Sequence, residues 1–169
     1  VSPRANLRYN PTRNVNLRLS YSTGFRSPQA YDEDFHVAVV GGDRVVTILA
    51  ADLKEESSQS VSASVDWYHA FGSVQTNLLI EGFYTNLSDV FVLRQLDQID
   101  AYGNQVLERQ NGDGARVWGF NIEARAGLGT KWQAQTGFTY QQSRYKRLEQ
   151  WSDNPAVPAV RRLFRTPDA

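Results

Sequence analysis

The stretch Ser60-Val-Ser-Ala-Ser-Val-Asp-Trp-Tyr-His69 decides the fold class. Val61, Ala63, Val65 and Trp67 are apolar, and Ser60, Ser62, Ser64 and Asp66 between them are polar. A helix would place Val61 beside Val65 and scatter the others. A strand puts all four apolar side chains on one face.

The same two-residue period recurs on both sides. From Asn14 to Phe25, Val15, Leu17, Leu19, Tyr21 and Phe25 stay in phase, opposite Asn16, Arg18, Ser20 and Ser22. From Val74 to Tyr84, Val74, Leu78, Ile80 and Tyr84 oppose Gln75, Asn77 and Glu81, with Leu79 and Phe83 breaking the polar face. Trp118, Phe120, Ile122, Ala124 and Ala126 oppose Asn121, Glu123 and Arg125. Trp132, Ala134, Phe138 and Tyr140 oppose Gln133, Gln135 and Thr139. Ala5, Leu7 and Tyr9, with Asn6 and Arg8 opposite, suggest one more strand. The expectation is an all-β chain of about six to seven strands. Most run to about nine residues or more, beyond the soluble mode of ~5–6 and near the ~9–11 that a tilted strand needs to cross a bilayer.

The connections alternate in length. Asn10–Asn14, Ala70–Ser73 and Gly127–Thr130 are short and rich in Gly, Pro, Asn or Ser, as tight turns require. Between them lie long connections at Arg26–Glu55, Asn86–Ala115 and Lys146–Arg165. Outer-membrane barrels sort loops this way, with short periplasmic turns and long outer loops. On that reading Trp67 and Trp132 lie near the periplasmic rim. Tyr21, Phe25, Tyr84, Trp118 and Tyr140 lie near the outer rim, as aromatic girdles do. Large aromatics also favour strands anywhere. Arg8, Arg18, Asp66, Glu81, Glu123 and Arg125 then point inward. Periodicity alone does not separate a barrel from a soluble sandwich; strand length and loop parity do.

Composition narrows the function. The chain has 169 residues, with 18 basic and 18 acidic side chains. A zero net charge argues against a nucleic-acid binder, so no nucleic-acid partner is expected. There is no Cys, which excludes disulfides and thiolate zinc sites. There is no Met, so the chain is expected to be a processed or excised piece of a longer protein. The longest nearly apolar run, Val45–Ala51, is interrupted by Thr47 and is far short of the ~20 residues of a membrane helix.

Several motifs resemble the barrel of TonB-dependent outer-membrane receptors, in its C-terminal segment. Leu19-Ser-Tyr-Ser-Thr-Gly-Phe-Arg-Ser-Pro28 is similar to a strand of that family ending in Gly-Phe-Arg-x-Pro. Leu53-Lys-Glu-Glu-Ser57 resembles the opening of the next strand, although Lys54-Glu55 lacks the family's proline. Ile80-Glu-Gly-Phe-Tyr-Thr-Asn-Leu-Ser-Asp-Val-Phe91 and Phe164-Arg-Thr-Pro-Asp168 resemble further strands. The resemblance implies a 22-stranded barrel around a plug, of which residues 1–169 are a piece, about a third of the barrel or less. It implies an outer-membrane location in contact with lipid. It also implies active uptake of a scarce nutrient (siderophore-iron, cobalamin, glycan or peptide) and coupling to the TonB complex through a region upstream of Val1. The alternatives are a passive outer-membrane porin and a secreted soluble β-sandwich binding module.

Candidate ligand contacts fall in the long outer loops. Asp32, Glu33, Asp34 and His36 cluster in the first. Carboxylates with His suit several divalent ions, but a polar turn or short capped helix after Pro28 accounts for them more simply, and no metal is expected. Tyr145, Arg147 and Trp151 belong to the last loop region, and aromatic and Arg side chains often anchor ligands. Asn111-Gly-Asp-Gly114 lacks the spaced ligands of a calcium loop and is expected to be a hairpin turn. Asp97, Asp100 and Asn104 are not expected to add a calcium site. Neither His36 nor His69 has a nucleophile elbow beside it, so no catalytic residue, cofactor or enzymatic activity is expected.

Overall fold

The computed structural model describes residues 1–29, 45–149, 156 and 158–162. Every regular element among them is a strand. In chain order these are β1 (Arg4–Thr12), β2 (Val15–Arg26), β3 (Val45–Leu49), β4 (Glu56–Phe71), β5 (Val74–Ser88), β6 (Phe91–Ile99), β7 (Gln105–Asn111), β8 (Ala115–Leu128), β9 (Trp132–Glu149) and β10 (Val160–Arg162). Seven of them form one antiparallel sheet in the order β1-β2-β4-β5-β8-β9-β10. It is an up-and-down meander that does not close on itself, as a part of a larger barrel would be. Each of the three expected tight turns joins two neighbours in this sheet.

The alternating sequence makes these strands, and the register then aligns their faces. Ser64 pairs with Glu81, Glu81 with Asn121 and Asn121 with Thr139, so one polar row runs across four strands. On the other face Tyr21 pairs with Val61, Val61 with Tyr84 and Tyr84 with Trp118. Three aromatics from separate sequence segments thus share one level near the long-loop end. At the short-turn end Phe71, Val74, Leu128 and Trp132 share another. Between those levels β4 advances from Val61 to Phe71. That is ~34 Å of strand at ~3.4 Å per residue, or ~26 Å along the normal at a ~40° tilt. It matches the ~25 Å apolar band of a membrane barrel.

Burial is inverted relative to a soluble domain. Among the described residues only Val106 and Ala115 are buried apolar side chains, whereas Asn16, Asp66, Arg109 and Ser143 are buried polar ones. Leu7, Leu19, Val65, Ile80, Trp118 and Phe138 of the apolar face remain exposed. A sandwich would cover that face with its second sheet. Here the second sheet, β3-β7-β6, makes no extensive contact with the first. Leu79 and Phe83, which break the alternation, lie on the polar face in register with Glu123 and Gly119.

The long connections are not plain loops. The second folds into the β6–β7 hairpin, and the first supplies β3, which pairs parallel to β7. β9 also continues past Lys146 to Glu149. The segment Asn111–Gly114 is not the hairpin turn expected from its composition. It carries the chain from β7 in the small sheet to β8 in the large one, and the hairpin turn lies at Asp100–Asn104 instead.

Close packing on the polar face sets one sharp requirement. A Cβ on Gly119 would run into the Tyr140 carbonyl oxygen and lie 2.9 Å from the Phe83 ring, whereas a Cβ on Gly82 would meet nothing within 4 Å. Gly119→Ala in the full parent protein is expected to cost about 1–3 kcal/mol through overpacking. The readout is a lower melting temperature of the folded, fast-migrating gel band, with Gly82→Ala leaving it in place.

Candidate functional site

The small sheet sits at the long-loop end, where all three long connections emerge, and it is held there by side-chain clasps. The Asn111 carboxamide accepts from the Lys54 N–H at 2.7 Å and donates to the Lys54 carbonyl at 3.0 Å. It also donates to the Asp89 carbonyl at 2.8 Å. One side chain thereby imitates a strand partner and ties the end of the first long connection to the second. Glu56 accepts from the Phe91 N–H and lies 3.7 Å from the Arg26 guanidinium. Arg26 and Arg109 both lie over the Phe91 ring, at 5.7 and 5.9 Å from its centroid. The Arg109 guanidinium also donates to the Gln29 carbonyl at 2.5 Å.

Beside these clasps opens a cavity of about 480 Å³ lined by Ser88, Asp89, Val92, Gln110, Asn111, Gly112 and Asp113. That size lies within the range of small-molecule sites. Its lining is mostly polar, and Val92 is its one large apolar side chain. Asp89 adopts a left-handed backbone conformation, φ 55°, which Asp tolerates better than most residues. Gly114, φ 90°, has no room for a Cβ against the Leu87 carbonyl. These two positions let the chain leave β5 and enter β8 while the cavity stays between them. Lys146 reaches Ser88 Oγ at 3.5 Å, and Arg147 pairs with Asp113 at 3.4 Å. Both partners of that ion pair are substantially exposed, so it contributes at most ~1 kcal/mol.

Of the residues expected from sequence to touch ligand, Tyr145 and Arg147 lie on the outer extension of β9, in the last loop region. Arg147 reaches the cavity rim through Asp113. Asp32, Glu33, Asp34, His36 and Trp151 lie outside the described residues. The cavity lining itself was not legible: Gln110 carries no signal, Asp89 falls within a strand-like motif, and Asn111 is expected in a hairpin turn. The only available signal was Asn111-Gly-Asp-Gly114, which marks a sharp change of direction. No group of three or more His, Asp or Glu arranged for a metal occurs among the described residues.

The hairpin turn of the small sheet is held by Asp100. Its carboxylate accepts from the Asn104 side chain at 2.6 Å and from the Asn104 and Tyr102 N–H groups at 2.8 Å each. These bonds, the Asn104 side chain first, favour the charged form and hold the carboxyl below its ordinary pKa. A lowered folded-state pKa means that the stabilisation is complete above the ordinary carboxylate range. It is lost as pH falls through the lowered value.

The lumen-side face of the large sheet is a hydrogen-bonded lattice. Asp66 accepts from Tyr68 Oη at 2.9 Å and from Asn77 Nδ2 at 2.5 Å. Glu123 pairs with Arg125 and accepts from Gln135 at 3.0 Å. Asn121 donates to Glu81 at 3.3 Å, and Arg8 to Asn16 at 3.1 Å. These groups satisfy one another within the wall.

Comparison with known proteins points the same way. Residues 1–167 match the family model described as TonB dependent receptor-like, beta-barrel. Among solved structures the chain resembles the FrpB iron transporter from Neisseria meningitidis (F3-3 variant), with a TM-score of 0.61 and 17% sequence identity. The match covers 85% of this chain and 19% of that one, so the chain spans about a fifth of the transporter's length. A search of curated protein sequences gives no match.

Two outcomes follow from the clasps. Asn111→Ala removes three hydrogen bonds from the junction of the small sheet and is expected to loosen it by about 1–3 kcal/mol. The checks are faster amide exchange across β3 and β7 and earlier proteolysis after Lys54, with the β4–β5 amides unchanged. For the hairpin, protection factors of the Tyr102 and Asn104 amides are expected to fall as pH drops through the lowered Asp100 value. In Asp100→Ala they should already be low at neutral pH.

Proposed function

This chain belongs to the TonB-dependent receptor β-barrel family, and from that premise we propose that it is wall and outer cap of a receptor for active nutrient uptake across the outer membrane. Residues 1–169 are read as one piece of the barrel domain, completed in the parent protein by further strands, a plug and a TonB-contacting region.

The observation that carries this reading is the pairing of an uncovered apolar band of membrane height with a folded polar cap at the long-loop end alone. A secreted sandwich has no use for the first. A passive pore has little use for the second. A receptor needs both: a scaffold that lipid solvates, and an outward surface shaped to meet a ligand before transport.

In this reading the ligand meets the cap first. The cavity between Ser88 and Asp113 and the neighbouring Tyr145 and Arg147 are proposed contacts, together with Asp32, Glu33, Asp34, His36 and Trp151 of the same outer loops. The polar lining suits a polar ligand: an iron chelate, cobalamin, a glycan or a peptide. The FrpB likeness makes an iron-bearing ligand the first to try. The work done is gated transport, with binding at the cap, passage through the lumen and energy delivered from the inner membrane. No bond in the ligand is broken.

The test uses the full-length parent. Envelope fractionation is expected to place it in the outer membrane, migrating faster unboiled than boiled. Uptake of the cognate ligand should require TonB. Arg147→Ala is expected to weaken ligand binding several-fold while leaving the gel shift unchanged. A soluble parent with no heat-dependent mobility would remove the barrel reading. Uptake independent of TonB would leave the barrel and turn the proposal toward a passive channel.

A further inference from the structure

The short-turn end of the lipid-facing surface carries a pattern that uptake does not use. Arg13 stands in the β1–β2 turn and Lys131 in the β8–β9 turn. The segments 9–16, 67–76 and 125–134, which make this end, contain no Asp or Glu. The carboxylates next along these strands, Asp66 and Glu123, belong to the opposite face and are engaged there by Tyr68, Asn77, Arg125 and Gln135. Among the described residues, neither Arg13 nor Lys131 has a carboxylate partner on its own side of the sheet.

Each cation stands at the end of the sheet where aromatic side chains gather. Val15 pairs with Trp67, and the ladder continues through the bond from the Tyr68 N–H to the Asn14 carbonyl. Arg13 is the next residue, in the turn itself, at the end of the sheet where His69 and Phe71 stand. On β4 the Trp67 and His69 rings are 5.5 Å apart, and His69 meets the Phe71 ring edge-on at 4.3 Å. Across the sheet Lys131 precedes Trp132, which is 72% exposed and shares the Phe71-Val74-Leu128 level. Aromatics of this kind settle at the headgroup depth of a bilayer. A cation one step outside them lies at the depth of the lipid phosphates.

We propose that this rim binds the phosphate groups of anionic phospholipids in the periplasmic leaflet, one at Arg13 with the Trp67-His69-Phe71 ladder and one at Lys131 with Trp132. The inference rests on the membrane-barrel reading above. It adds lipid selectivity: the rim would favour an anionic headgroup over a zwitterionic one, and its two cations would pin the height of the barrel. Its partner is a membrane lipid, since the site lies at the edge of the apolar band and faces outward.

Trp67 and Trp132 make the site readable. The full-length parent is reconstituted in phosphatidylcholine, then in mixtures with phosphatidylglycerol, using brominated acyl chains that quench nearby tryptophans. Wild type is expected to be quenched more by brominated phosphatidylglycerol than by brominated phosphatidylcholine, and salt should reduce the excess. Removing one cation near an anionic leaflet corresponds to about a fivefold loss. The preference should therefore collapse in Arg13→Gln/Lys131→Gln and persist in the charge-conserving Arg13→Lys/Lys131→Arg. Equal quenching by both lipids in wild type, or a preference that survives the Gln pair, overturns the proposal. The unboiled gel shift, run on the same samples in phosphatidylcholine alone, separates the two ideas. A folded barrel without lipid preference sinks only the rim site. A wild type that never acquires the shift sinks the barrel reading and the site with it.

Discussion

A strand crossing hydrocarbon finds no water for its N–H and C=O groups, so its neighbours must take every one of them. That constraint governs the large sheet. The ladder is unbroken from Val15 to Arg26 between β2 and β4, from Ser57 to Phe71 between β4 and β5, and onward through β8 and β9. Within this sheet, irregular register is confined to β1 beyond Tyr9 and to β10. Once the ladder is fixed, the two-residue period does the rest. A slip of one residue would turn Val61, Val65 and Trp67 inward and Asp66 toward lipid. The aromatic levels and the polar lattice are both consequences of that single register.

The polar face shows how a wall can be charged without being unstable. A lone buried carboxylate costs far more than any one hydrogen bond returns. Asp66 is buried, yet it is held by a phenol and an amide from its own and the adjacent strand. Neighbours supply the partners because strands set side chains of like parity side by side. Gly119 belongs to the same logic. Without a side chain it leaves room for the Phe83 ring beside its backbone.

Local pattern was enough for the wall and not for the cap. Ser60–His69 and its counterparts alternate over two or more turns of the pleat, and Gly72 and Gly129 mark tight turns with positive φ. Leu79 and Phe83 break the local alternation because the polar face is not uniformly polar; Phe83 fits over Gly119, a neighbour that only the register reveals. The cap depends on partners far apart in sequence. β3 is a short, nearly continuous apolar run whose parallel mate lies some sixty residues on, and no local period names that mate. Asn111-Gly-Asp-Gly114 has the composition of a hairpin turn, but the Asn111 side chain is taken up by Lys54 and Asp89. Asp100 and Asn104, with weaker turn credentials, close the hairpin through bonds that only their folded geometry reveals. Of the expected ligand contacts, Arg147 was legible as an exposed cation in a long-loop region. Its link to Asp113 was not, because that partner arrives from another connection.

The division between wall and cap has a functional consequence. Substitutions in the wall are constrained on both faces: by lipid on one, by the hydrogen-bonded lattice on the other. The cap escapes both constraints. Its sheet is stitched to the wall by a few side-chain clasps and one cation–aromatic cluster, and Ser88, Asp89, Gln110 and Asp113 present polar groups to a cavity rather than to a ladder. New lining residues there would change the polar groups facing the cavity without breaking a ladder hydrogen bond of the large sheet. In the receptor proposed above, specificity would change at the cap while the wall stays the same, as one scaffold can carry different sites on its connections.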